Sequence, residues 1–142
     1  MRNKFILSVV CMLFLFGCKN QMSLTTLLDT INGQKWQVKS LGDQDLDAAT
    51  YAKFKGLPEL TFTDDGVISG HSGCNGFRAN YKLDENQNIE IRPGAMTKMH
   101  CQGVNETGFL AAIRATRSLK MDGEELLLVD SEGTEKMRLT KI

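Results

Sequence analysis

Apolar and polar residues alternate most cleanly at Phe77, Ala79, Tyr81 and Leu83, separated by Arg78, Asn80 and Lys82, which predicts a strand with one buried and one wet face. Trp36 and Val38 alternate with Gln37 and Lys39 in the same way and predict an earlier strand ending at Leu41. Leu60 to Thr63 and Val67 to Ser69 flank Asp64-Asp65-Gly66, where Asp-Gly supplies the positive-φ positions of a tight hairpin. Asp84 to Asn88 is a polar turn, and a further strand runs from Asn88 to Arg92 until Pro93-Gly94 stops it. Strands following one another this closely pair antiparallel.

The period then changes. Phe109, Ala112, Ile113 and Thr116 fall at helical spacing and predict a helix from Asn105 to Lys120, with Asn105 as its cap. Glu106 in its first turn and Arg114, Arg117 and Lys120 toward its end complement the helix dipole. Met121-Asp122-Gly123 turns the chain into a closing hairpin, Glu125 to Val129 and Lys136 to Thr140, over Ser131-Glu132-Gly133. Gly42 to Gly56 reads as a long loop. From Lys19 to about Gly33 the chain is polar, with Leu24, Leu27 and Leu28 spaced for a tether or a weak helix of one or two turns.

The first residues follow a different logic. Arg2 and Lys4 precede an uncharged run of twelve residues, Phe5 to Phe16, which is too short to span a bilayer and has the architecture of a signal peptide. The run ends in Leu15-Phe16-Gly17-Cys18, which resembles the lipobox of bacterial lipoproteins. That resemblance implies that residues 1–17 are removed, that Cys18 carries the lipid, and that residues 18–27 are a tether. Two or three acyl chains make such an attachment effectively stable. Lys19 follows the cysteine where Asp would retain an enteric lipoprotein at the inner membrane, so the expected address is the outer membrane.

The full chain has 142 residues, of which 125 follow the signal, enough for one domain with a core of its own. Losing Arg2 and Lys4 leaves 15 basic against 17 acidic residues, a formal net charge of −2, so the cationic field required to bind nucleic acid is missing. No nucleotide-binding, hydrolase or zinc-protease motif occurs. The chain is expected not to be an enzyme and to need no cofactor.

With Cys11 discarded and Cys18 lipidated, Cys74 and Cys101 remain, and an even pair of exported thiols reads most simply as a disulfide. Two rivals stay open at this point. His71 and His100 lie close enough in sequence to join the thiols around zinc, although adjacent His100 and Cys101 are poorly placed to chelate one ion. Either histidine is also a candidate activator of a nucleophilic thiolate.

Leu60-Thr-Phe-Thr-Asp-Asp-Gly66, Gly73-Cys-Asn-Gly-Phe77 with Tyr81, and Met96-Thr-Lys-Met-His-Cys101 resemble the META domain in order and spacing. The Trp36 strand and Phe109-Leu-Ala-Ala112 extend the resemblance over residues 28–142. The family includes HslJ-type heat-shock lipoproteins. The resemblance implies an α+β, mainly β fold, a small antiparallel sheet curved into a partial barrel with one packed helix, and a Cys74–Cys101 pair. It also implies a role in tolerance of heat or drug stress. The expected function is a non-catalytic protein-interaction module, a monomeric domain bound to the membrane through Cys18 and to an envelope protein partner. The alternatives are an apolar ligand or lipid held in the partial barrel, and inhibition of exported proteases through the Gly42 to Gly56 loop.

Overall fold

The computed structural model describes residues 22–142, so the expected signal peptide, residues 1–17, and the expected lipidation at Cys18 lie outside the described residues. The described residues form three short helices and nine strands. Ser23 caps α1 (Leu24–Ile31) by accepting from the Thr26 N–H, and Leu27 and Ile31, one turn apart, are both buried. Asn32 leaves the helix extended and Gly33, at φ 69°, turns the chain into β1 (Lys35–Leu41). Trp36 and Val38 point inward there, and the indole N–H donates to the Ile31 carbonyl at 3.2 Å.

The segment from Gly42 to Gly56, expected as a loop, contains β2 (Gln44–Asp45) and the single turn α2 (Ala48–Tyr51). Asp47 starts α2 as its N-cap, accepting from the Ala49 N–H and the Thr50 hydroxyl. The hairpin of β3 (Glu59–Phe62) and β4 (Val67–His71) turns where its Asp-Gly sequence predicts, but only Gly66, at φ 78°, takes a positive φ, and Asp65 does not. In β5 (Gly76–Leu83) Phe77, Ala79 and Tyr81 are buried while Arg78, Asn80 and Lys82 are exposed.

The next strand, β6 (Ile89–Met96), passes through Pro93-Gly94 instead of stopping there. Pro93 faces Ala79 with a register shift beside it, and beyond the first residues β6 is an outer strand, the kind of position in which a residue without an N–H is tolerated. A Cβ on Gly94 would lie 2.9 Å from the Arg78 carbonyl oxygen, so the bulge depends on a residue without a side chain.

The expected helix also ends early. In α3 (Glu106–Ala115) the Asn105 side chain accepts from the Gly108 N–H at 2.9 Å, and Thr116 is already extended, its hydroxyl donating to the Ala112 carbonyl at 2.7 Å. Ser118–Asp122 is β7, whose single buried side chain, Leu119, mimics a continuation of the helical face. Arg114 complements the dipole as expected, and Arg117 caps from beyond the helix by donating to the Arg114 and Thr116 carbonyls at 2.7 Å; Lys120 belongs to the strand. The closing hairpin, β8 (Glu125–Val129) and β9 (Glu135–Lys141), is as read.

The strands form one antiparallel sheet in the order β6-β5-β4-β3-β1-β9-β8-β7, with β2 paired to β1. The sheet curls until its ends touch at one place. Asn88 bridges Ser118, the Ile89 N–H donates to the Arg117 carbonyl at 2.8 Å, and the Leu119 N–H donates to the Gln87 carbonyl at 3.1 Å. The fold is thus α+β, mainly β, with α1 and α2 added to the one helix expected against a partial barrel.

Phe109 and Ile113 of α3 and Leu27 and Ile31 of α1 are fully buried among inward side chains of the sheet, Phe62, Ile68, Leu126 and Leu139 among them. Each such side chain contributes about 1.5–3 kcal/mol. Edge-on aromatic pairs, Phe77 with Phe109 and Phe62 with Tyr81, both at 5.6 Å, fix the helix and the turn end of β3. The inside of the curl is filled by its own side chains.

Gly70 tests how tightly the hairpin is built, because a Cβ there would sit 1.9 Å from the Glu59 carbonyl oxygen while one on Gly33 would meet nothing within 4 Å. Gly70→Ala is therefore expected to cost about 3 kcal/mol or more in urea unfolding, and Gly33→Ala only about 1 kcal/mol from its positive φ. Equal losses would show that the β3–β4 approach is soft.

Candidate functional site

Cys74 lies just before β5 and Cys101 in the segment between β6 and α3, and they are joined in a disulfide with Cα atoms 5.8 Å apart. The bond spans 27 positions and so removes chain entropy from the unfolded state, an effect of about 3–4 kcal/mol. Cys74 is buried and Cys101 half-buried.

The disulfide sits beside a polar hub that the sequence did not single out. Asn75 is wholly buried, and its side-chain N–H groups donate to the Met99 carbonyl at 3.0 Å and to both Glu106 oxygens at 2.9 and 3.0 Å. Its Oδ1 accepts from the Thr97 hydroxyl at 2.9 Å and the Met99 N–H at 2.7 Å. The Ser72 hydroxyl donates to Glu106 at 2.5 Å, and its oxygen accepts from the Asn75 N–H at 3.0 Å. Glu106 therefore does more than complement the α3 dipole: it anchors the helix start to the Gly-Cys-Asn turn. No buried side-chain polar atom among the described residues lacks a partner.

Tyr51 extends this end of the molecule. Its hydroxyl accepts from the Asn105 N–H at 3.1 Å, and burial raises the phenol pKa, keeping that group protonated. The Lys55 N–H donates to the Gly73 carbonyl at 3.2 Å, and a Cβ on Gly73, at φ 88°, would lie 2.3 Å from the Tyr51 ring. Turn α2, the Gly-Cys-Asn turn and residues 97–105 thus form one interlocked unit. A shallow groove of about 260 Å³ runs beside it, lined by Met99, His100, Gly103, Val104 and Thr107 with the disulfide.

The bond settles the fate of both thiols, leaving neither as a metal ligand nor as a nucleophile. His71 and His100 do not converge on them: His100 lies beside the disulfide with its side chain exposed, and His71 faces Glu59 across the sheet, Nε2 to Oε2 3.7 Å. His71 Nδ1 accepts from the Gly73 N–H at 3.1 Å, which requires that nitrogen to be unprotonated. No group of three or more His, Cys, Asp or Glu positioned to hold a metal ion occurs among the described residues. No helix among them is long and apolar enough to cross a membrane. The arrangement braces a surface.

Two outcomes follow from this geometry. Asn75→Ala strands the Glu106 carboxylate and the Met99 N–H, and is expected to cost about 2–4 kcal/mol while raising hydrogen exchange across residues 97–105 selectively. Uniform exchange across the whole sheet would refute a local brace. Burial lowers the His71 pKa below its ordinary value, against the opposing pull of Glu59. The native state then binds fewer protons than the unfolded chain, so stability is full above about pH 6.5 and is lost as pH falls through the lowered folded value. His71→Gln should flatten that slope in urea titrations run from pH 7.5 to 5; an unchanged slope would assign it elsewhere.

Comparison with known proteins agrees with this fold and these motifs. The META domain family model matches residues 29–141. No curated protein matches significantly. Among solved structures, a protein from Burkholderia xenovorans solved by NMR is 19% identical, with TM-score 0.59 over 86% of this chain and 90% of its own. A second NMR structure is 18% identical with TM-score 0.60, covering 79% and 92%. The crystal structure of a DUF4847 family protein from Bacteroides vulgatus is 15% identical with TM-score 0.55, covering 80% and 96%. At these identities the structures share the fold, and the family match over the greater part of the sequence decides the assignment: the chain belongs to the META domain family.

Proposed function

We propose that this chain is a non-catalytic lipoprotein of the bacterial cell envelope, anchored through Cys18, and a protein-binding module that supports tolerance of heat or drug stress. The observation that carries the reading is the Cys74–Cys101 and Asn75 unit: both thiols and the whole hydrogen-bonding capacity of the Asn75 side chain are committed to holding surface segments in place. A rigid displayed surface serves recognition, and preorganisation lowers the cost of binding. The lipobox at Leu15 to Cys18 supplies the tether, and Lys19 favours the outer membrane.

The packing favours a binding surface over an internal ligand site, because the barrel interior is occupied by Trp36, Phe62, Phe109 and their neighbours. It also disfavours an inhibitory loop at Gly42 to Gly56, since that segment is folded into β2 and α2 with Tyr51 buried.

Growth in radiolabelled palmitate is the direct test of the anchor. The wild-type chain is expected to carry label and to accumulate uncleaved under globomycin, while Cys18→Ala carries none and leaves the membrane fraction. Label that survives Cys18→Ala removes the anchor. Loss of heat or drug tolerance in a deletion strain, restored by the wild type but not by Cys18→Ala, is the matching physiological outcome; a deletion without phenotype removes the stress role.

A further inference from the structure

The barrel has two chemically different ends. At one, Asn32 bridges Phe62, the Tyr81 hydroxyl donates to the Asn32 side chain and the Thr63 carbonyl, and the Gln87 side chain donates to the Met22 carbonyl. This end therefore gathers α1, the Thr63–Gly66 turn, the Asp84–Asn88 turn and the first described residue. Its exposed acids are Asp29, Asp64, Asp65, Asp84 and Glu85, set against exposed Lys35, Lys82 and Lys141.

The other end is the unit built on Cys74, Asn75 and Tyr51. Residues 48–58 and 96–104 contain no acid; they expose Lys53, Lys55, Lys98 and His100. Asp43, Asp45 and Asp47 lie to one side on the β1–β2 hairpin and the α2 cap, and the Asp47 carboxylate is engaged by Ala49 and Thr50. Of the three large hydrophobic residues exposed among the described residues, two belong to this unit, Phe54 at 41% and Met99 at 53%. Thr50 and Gly103 are in contact range, so the two segments carrying them are neighbours. Both are held by the buried groups already described, so their exposure is built into the fold.

Position separates the ends as chemistry does. Met22 is four residues after Cys18, and four residues reach at most about 14 Å. The eight residues of β5, which run from the disulfide to the Asp84 turn, extend about 25 Å. We infer that the disulfide-braced end is a docking face for an acidic protein segment that carries an apolar side chain, and that the acidic α1 end is the one turned to the membrane. This rests on anchoring at Cys18. Cations around two exposed apolar side chains are the complement of such a segment, steering it by charge and seating it by contact.

The test uses the lipidated protein in its own envelope, with the photo-crosslinker p-benzoylphenylalanine in place of Glu85 at the α1 end or of Gln102 at the braced end. The Glu85 position is expected to label lipid. The Gln102 position is expected to yield a protein adduct whose cross-linked peptide is acidic. Lys53→Glu, Lys55→Glu and Lys98→Glu together should lower that yield about tenfold with the disulfide and palmitate labelling intact. A Gln102 adduct with lipid, with a second copy of this chain or with a neutral or basic segment overturns the docking face, as does no adduct or a yield unmoved by charge reversal. If Cys18 carries no lipid, Glu85 loses its lipid adducts while the acidic Gln102 adduct persists, which overturns the orientation and the anchor but leaves the face standing.

Discussion

A single antiparallel sheet with one apolar face has to bury that face against something, and here it is folded against itself around Phe109 and Ile113. Both side chains are fully buried, and the edge-on contact of Phe109 with Phe77 ties the helix to the half of the sheet that carries the disulfide. Leu27 and Ile31 of α1 complete the same core. The curl brings β6 and β7 together at Asn88 and Ser118, and the placement of both ends of the molecule follows from it.

The polar hub depends on that packing and strengthens it in return. Asn75 can be buried because all its hydrogen-bonding capacity is met within one turn, one connecting segment and one helix start. An unmet amide there would cost about 1–3 kcal/mol. The disulfide acts on the unfolded chain, whereas Asn75 and Glu106 select one arrangement of the folded one. The two devices are adjacent in sequence and separate in mechanism. On the far side of the sheet Arg138 performs a related service in the open, bonding Glu125, Glu135 and Asp122 and lowering the Glu125 pKa.

The parts legible in the sequence are those in which a local pattern meets a local cause. The alternation in β5 and the Asp-Gly hairpin could be read because one face of each strand is wet and the turn chemistry is contained in three residues, Asp64 to Gly66. Cys74 and Cys101 could be paired because no other thiol remains once Cys11 and Cys18 are assigned to the expected signal and anchor. Elements of two and four residues, β2 and α2, are too short to display any period. The end of α3 was hidden because Leu119 is buried in a strand where it also suits a helix. Asn75 was quoted as part of a motif without a role, since its partners Thr97, Met99 and Glu106 are 22 to 31 positions away. Separation of that kind becomes proximity only after the sheet has curled.

The proline in β6 has a consequence for how copies of this protein coexist. Beyond the Asn88 bridge, no strand among the described residues pairs with the outer side of β6, and a free strand is a template on which another chain can extend the sheet. Pro93 presents no N–H there, the bulge beside it breaks the register, and Arg92 places a charge next to it. The interruption that reads as the end of a strand thus leaves a sheet edge poorly suited to pairing with another strand.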